Sequence, residues 1–369
     1  MNRKFSVYLD FIRFAAALAV FVSHVPGFAG GWLWQVAGFG HEAVVIFFVL
    51  SGFVISYVVF EKQESAIKYT VSRLSRIYSV AIPALFLTLS LYYLGQEVNQ
   101  AAFVSLNEKL NDPILTLISA FTFTNQSWLA SPVFSNLPYW SLGYEVLYYL
   151  FFGILVYSRG NKRVMLLGLV CLLMGPSILL YLPIWLAGVF CFKKLKVYNL
   201  SFGLSLLLYS ISIIGIVVLS VSSIQSGINT FMLNILGSDF YNILLEPAEK
   251  FVSDYVLALF VTLHIFSSYH LINNSSFLSI GKKVELLVKE MSSHTFSLYL
   301  YHMPILYFIS ALFPYDSLPI LNLAFCWFIV PLLIFLISNF TEKKKHRYAI
   351  FFNAIFTKFS PNNALKSDS

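Results

Sequence analysis

Charged residues are scarce in this 369-residue chain. Asp, Glu, Lys and Arg make up only 11% of it, whereas 58% of the residues are hydrophobic. An ordinary soluble domain has about twice that share of charged residues. The composition therefore excludes a soluble globular protein and predicts a chain whose main solvent is lipid.

Cysteine is also scarce. Cys171, Cys191 and Cys326 lie in apolar runs without paired spacing, so the sequence predicts neither a disulfide framework nor a zinc site. We expect no metal and no tightly bound cofactor. The net charge of +7 does not indicate nucleic-acid binding, because no soluble segment is long enough to present a basic face.

Apolar runs, in contrast, are abundant. About 20 helical residues cross about 30 Å of hydrocarbon, and ten runs approach that length, although the sixth is short. These runs predict an all-α, polytopic transmembrane bundle. They are 7–26, 41–60, 77–95, 138–157, 164–180, 182–192, 200–222, 253–272, 292–313 and 319–340.

The basic residues predict the orientation of this bundle, because Lys and Arg accumulate in cytoplasmic loops. With the N-terminus inside, only Lys109 and Lys250 fall in outer loops. Omitting the short sixth span would invert this pattern. We therefore predict ten spans with both termini in the cytoplasm. The membrane domain covers 1–340, and 341–369 form a basic cytoplasmic tail that is partly disordered.

The first span contains three ionisable residues whose burial in a membrane costs free energy. A charge at the centre of a span costs about 2.5–3.5 kcal/mol on insertion scales, so each is a functional hypothesis. Arg13 and His24 lie about 20° from alignment on a helix and roughly 16 Å apart along its axis, and Asp10 is close enough to pair with Arg13. We predict a polar stripe that faces the bundle interior. Alternatively, Arg13 pairs with Asp10 and snorkels, and His24 is an interfacial histidine.

Two arginines precede the third span. Arg73 and Arg76 are three residues apart, so they share a helix face at the mouth of the bundle. A guanidinium donates paired hydrogen bonds that suit phosphate groups. Ordinary positive-inside charge explains the two residues equally well.

Polar residues also interrupt two later spans. Glu145 follows Ser141 by one turn in the fourth span and needs a partner, for which Arg13 or His24 would serve. In the ninth span, Tyr299 and His302 share a face through their spacing of three.

Together these motifs resemble the acyltransferase-3 family of bacterial membrane acyltransferases, and the resemblance extends from about residue 6 to 340. Phe296 departs from the family pattern, in which a tyrosine is common. The matching segments are Leu9 to Arg13 with His24, Gly40 to Phe53, Arg73 with Arg76, Trp140-Ser141-Leu142 with Glu145, and Tyr299-Leu300 with His302 and Pro304.

The resemblance implies an O-acyltransferase of the bacterial inner (cytoplasmic) membrane. Its donor would be acyl-CoA, usually acetyl-CoA, from the cytoplasm, and its acceptor a hydroxyl of a cell-surface or lipid-linked glycan. Arg73 and Arg76 would hold CoA phosphates, Arg13 would guide the donor, and His24 would act as general base with Glu145 orienting its imidazole. Asp10, Ser141, Tyr299 and His302 would support them.

Two other functions fit a bundle of ten spans with intramembrane charges. One is a transporter or flippase for lipid-linked sugars, and the other is a polysaccharide polymerase. Consumption of a thioester discriminates, because neither alternative cleaves one.

Overall fold

The computed structural model describes residues 2–108, 110, 112–128, 130–237, 248–275 and 280–358. Helices α1 to α9 are Arg3–His24, Gly40–Ser56, Ala66–Val98, Val104–Asn107, Pro113–Phe121, Trp140–Tyr157, Gly160–Lys194, Phe202–Val221 and Ile224–Leu236. Helices α10 to α15 are Phe251–Asn274, Lys282–Ser292, Thr295–Leu312, Pro319–Ala324, Val330–Phe340 and Lys345–Lys358.

Within the described residues, nine helical segments are long and apolar enough to cross a membrane, and there is no β-strand. The predicted all-α polytopic bundle is therefore confirmed. Its two ends are named here after α1, which begins at the Arg3 end and finishes at the His24 end. Which of them faces the cytoplasm stays a prediction.

The difference between nine segments and ten predicted spans lies in α7, which contains both the fifth and the sixth run. A straight helix of its 35 residues would be about 52 Å long. Gly175 interrupts it with a φ of 71°, and Pro176 begins the second half. A Cβ on Gly175 would lie 1.7 Å from the carbonyl oxygen of Ser127, so only glycine fits this break.

Both ends of α7 lie at the Arg3 end of the bundle. The helix begins just after α6 ends, and Phe152 of α6 packs on Phe60 with ring centroids 6.1 Å apart. At the other end of α7, Lys193 Nζ lies 5.0 Å from the centre of the same Phe60 ring. The chain therefore reverses at Gly175, and the two halves of α7 correspond to the two predicted runs.

Close contact between α2 and α7 fixes the middle of the bundle. A Cβ on Gly52 would lie 2.0 Å from the carbonyl oxygen of Trp185, and one on Gly188 would lie 1.9 Å from that of Val49. The two backbones touch at these glycines, as small residues allow in membrane bundles. Ser51 is thereby held against α7.

The amphipathic helix α11 is fastened to the start of α1. Arg3 Nε donates to both carboxylate oxygens of Glu285 at 3.0 and 2.8 Å, and Lys289 Nζ donates to the same carboxylate at 2.6 Å. These hydrogen bonds lower the pKa of Glu285 from 4.5 to about 2. The carboxylate therefore stays ionised and holds the two helices together down to acidic pH.

The segment that follows α14 turns sharply at Thr341 and continues as α15. This helix packs along α3, where the Phe352 ring lies 5.8 Å from that of Tyr78. The predicted tail thus contains a helix up to Lys358, and its last residues, 359–369, lie outside the described residues. The division into a membrane domain and a separate tail stays a prediction.

Candidate active site

A cavity lies between α1, α2, α3, α6 and α12. Apolar side chains of α2, including Phe47 and Phe48, form one wall. The polar lining consists largely of residues that the sequence singled out. They are Arg13, Arg73, Arg76, Ser141, Glu145 and Tyr299.

The three arginines differ in the hydrogen bonds that their side chains donate within the protein. Arg13 donates to Asp10 Oδ1 at 3.3 Å. Among the described residues, Arg73 donates only to the neighbouring Ser72 hydroxyl, at 3.0 and 3.1 Å, and its guanidinium lies 5.9 Å from the centre of the Tyr149 ring. Arg76 has no side-chain hydrogen bond or ion pair within the described residues. Guanidinium groups with unused donors are able to bind an anion such as a phosphate, so this side of the cavity is a candidate anion site.

Glu145 is held by α2 and by its own helix. Ser51 Oγ donates to Glu145 Oε1 at 3.0 Å, and the Tyr149 hydroxyl donates to the same oxygen. Trp185 Nε1 donates to Ser51 Oγ at 3.2 Å and so fixes the serine. The expected partners, Arg13 and His24, make no hydrogen bond to this carboxylate. Glu145 is therefore anchored in the cavity wall by hydroxyl groups.

His24 instead contacts the ninth predicted span. Its Nδ1 lies 3.0 Å from Nε2 of His302, and the two rings stack with centroids 5.1 Å apart. His302 Nδ1 lies 2.9 Å from the carbonyl oxygen of Leu298. The contact that orients His24 is therefore made by His302, whereas the sequence had predicted it for Glu145.

The Leu298 carbonyl determines which nitrogens carry protons. A carbonyl only accepts, so Nδ1 of a neutral His302 carries the hydrogen and its Nε2 accepts. Nδ1 of His24 must then donate, which leaves a lone pair on Nε2 of His24. His302 is completely buried, whereas His24 is partly exposed. His24 is therefore oriented as a base whose free nitrogen is Nε2.

Helix α12 connects the histidine pair with the cavity. Tyr299 lines the cavity, and its hydroxyl lies 2.7 Å from Ser141 Oγ. His302 follows one turn later on the same face. His24 and His302 do not themselves line the cavity. The arginine cluster and the histidine pair are thus separate places joined by α1 and α12.

Asn136 forms a hydrogen bond to the backbone of α12 near His302, and the sequence gave no indication of this contact. Pro304 has no N–H, so it cannot bond the carbonyl of Leu300 one turn earlier. Asn136 Nδ2 donates to that carbonyl at 3.0 Å and to Thr88 Oγ1 at 3.1 Å. The proline was a signal that some polar group must approach, although the sequence could not say which one.

Tyr149 and Ser51 are further site residues that sequence reasoning passed over. Tyr149 follows Glu145 by four residues, a spacing at which helix side chains meet, so this contact could have been predicted. Ser51 could not have been predicted in the same way, because its partner Glu145 lies on another helix.

The family model described as an acyltransferase domain, acyltransferase-3, matches residues 6–340. No curated protein and no solved structure matches the chain. A match over most of the chain, in an all-helical membrane bundle, means that this protein belongs to the acyltransferase-3 family and is a membrane acyltransferase.

Proposed function

We propose that this acyltransferase moves an acyl group, in the first instance acetyl, from acyl-CoA to a hydroxyl of a cell-surface or lipid-linked glycan. The observation that carries the proposal is the arginine-lined cavity, in which the Arg76 side chain donates no hydrogen bond to any described residue. Coenzyme A carries several phosphate groups, and a guanidinium with free donors binds such groups well. The coenzyme is a substrate here and leaves after each turnover.

The donor enters from the Arg3 end, which is the cytoplasmic side of a bacterial inner membrane in this proposal. The phosphates bind near Arg73 and Arg76, and the pantetheine arm follows α1 from Arg13 towards His24. The two residues are roughly 16 Å apart along the helix, a distance that an extended pantetheine arm covers. The acceptor reaches His24 from the opposite end, where this side chain is partly exposed.

His24 Nε2 removes the proton of the acceptor hydroxyl as its oxygen attacks the thioester carbonyl carbon. The carbon–sulfur bond then breaks, and the thiolate of coenzyme A takes the proton from His24, so the base is restored. His302 holds His24 in the required tautomer through the 3.0 Å contact. No metal ion is needed for this sequence of steps.

The remaining polar residues have positioning roles in this proposal. Asp10 orients Arg13 through their hydrogen bond, and Glu145 keeps a fixed negative charge in the wall of the cavity. The hydroxyls of Ser141 and Tyr299 line the part of the cavity nearest to His302 along α12. Either one can donate to the thioester carbonyl in place of the Pro138 carbonyl oxygen, which lies 3.2 Å from each.

Thiol release by the purified protein tests the proposal. The protein is placed in lipid nanodiscs with a panel of acyl-CoA donors and with glycan extract as acceptor. We expect release of free thiol that the acceptor stimulates. A transporter, flippase or polymerase would release none, and its absence with every donor would overturn the proposal. Mass spectrometry of glycans from a deletion strain and its parent identifies the acyl group.

A further inference from the structure

The C-terminal segment is fastened to the mouth of the cavity. The Glu342 carboxylate accepts from the backbone N–H of Phe296 at 3.3 Å and of Ser297 at 2.8 Å. Phe296 itself lines the cavity. Lys343, the next residue, pairs with Glu290. The start of α15 is therefore fixed beside the first turn of α12.

Lys345 is the first residue of α15 and follows Glu342 by three residues, so it lies beside the mouth of the cavity. It interacts electrostatically with Arg76, Glu342, Arg13 and Arg73. Its side chain is exposed and has no hydrogen bond or ion pair within the described part of the chain. The packing of α15 along α3, the helix that carries two of these arginines, keeps Lys345 in place.

Among the described residues around the mouth of the cavity, four carry a positive charge and three a negative one. The cations are Arg13, Arg73, Arg76 and Lys345, and the anions are Asp10, Glu145 and Glu342. Asp10 is bonded to Arg13, Glu145 is bonded to Ser51 and Tyr149, and Glu342 is bonded to backbone N–H groups. The positive charges therefore exceed the negative ones by one, and each carboxylate is already held by other groups of the protein. A phosphate group that enters here would meet cations with free hydrogen-bond donors.

We propose that α15 completes the donor site and that Lys345 binds a phosphate of the acyl donor. This inference rests on the proposed function, and it extends the site beyond residue 340, where the family match ends. It assigns the donor to the class of nucleotide-linked thioesters. Acyl groups carried on phosphate-free pantetheine would miss this contact.

The test compares two donors and three variants, in nanodiscs of phosphatidylcholine alone and in nanodiscs that also contain an anionic lipid. Lys345→Glu should raise the KM for acetyl-CoA about 10-fold, because the substitution removes one hydrogen bond between a charged side chain and a phosphate of the donor. With S-acetylpantetheine, the KM ratio of variant to wild type should fall to about 1. Lys358→Glu is the matched control, because it makes the same charge change about 20 Å away on the same helix and should leave the acetyl-CoA KM unchanged.

Three outcomes would overturn the inference. In the first, wild type releases thiol but Lys345→Glu has the wild-type KM for acetyl-CoA. In the second, Lys345→Glu is equally impaired with both donors, which would indicate damage to the fold. In the third, the defect occurs only in nanodiscs with an anionic lipid, which would assign Lys345 to a lipid phosphate. No thiol release by wild type with any acyl-CoA would instead contradict the proposed function. Lys345→Arg should restore the wild-type KM.

Discussion

Replacing His302 by phenylalanine tests whether this residue orients the base. The substitution keeps a flat ring that can pack edge-on against Phe21, as His302 does at 6.1 Å, and stack on His24. It removes Nε2, which lies 3.0 Å from His24 Nδ1. The fold should therefore persist while His24 loses the acceptor that fixes its tautomer.

The size of the effect can be bounded. One hydrogen bond contributes about 0.5–1.5 kcal/mol, or roughly 2- to 13-fold in rate. Complete loss of a general base costs about 10²- to 10⁴-fold. Because the base remains but loses its orientation, kcat should fall about 10- to 100-fold. The KM for acyl-CoA should not change, since His302 does not line the cavity.

Thiol release in nanodiscs measures both constants, and a double variant gives the sharpest result. If His302 acts only through His24, then His24→Ala with His302→Phe should be no slower than His24→Ala alone. A further loss of 10-fold or more in the double variant would refute the relation between the two histidines. An unchanged kcat in His302→Phe would refute it as well.

Other features give further predictions. Arg76→Ala should raise the acyl-CoA KM about 10-fold. Arg73→Ala should raise it less, because the Arg73 side chain is already bonded to a neighbouring residue. An unchanged KM in both variants would mean that the two charges serve membrane topology alone. Gly175→Ala should reduce the yield of monodisperse protein on size exclusion, because its Cβ would meet the Ser127 carbonyl at 1.7 Å, and a wild-type profile would contradict the break described in α7. The folded-state pKa of Glu285 lies near 2, below its ordinary 4.5, so its contribution to stability is present above about pH 4.5 and is lost as the pH falls towards 2. The melting temperature of Glu285→Gln should therefore fall less than that of wild type from pH 5 to pH 3, and parallel curves would contradict this.

The fold was predictable from the sequence because spans are recognised by apolar length. The sequence also required the short sixth run, since the alternation of basic loops fails without it. It could not show that the fifth and sixth runs form one helical element. That result depends on the backbone of Gly175 and on its contact with a distant loop at Ser127.

The site was predictable to the extent that its contacts are local. The Asp10–Arg13 hydrogen bond follows from their spacing of three on one helix. The contact between His24 and His302 joins residues 278 positions apart, and helical spacing within each span says nothing about it. The position of Lys345 beside the cavity could not be predicted either, because it depends on how the chain turns at Thr341.

Acyl transfer by His24→Ala tests the central claim most directly. Wild type and variant are reconstituted in nanodiscs with acyl-CoA and glycan acceptor, and the acylated product is measured by mass spectrometry. The proposed base chemistry predicts a rate reduced about 10²- to 10⁴-fold, with normal expression and membrane insertion and an unchanged KM for the donor. Full activity of His24→Ala would contradict the account.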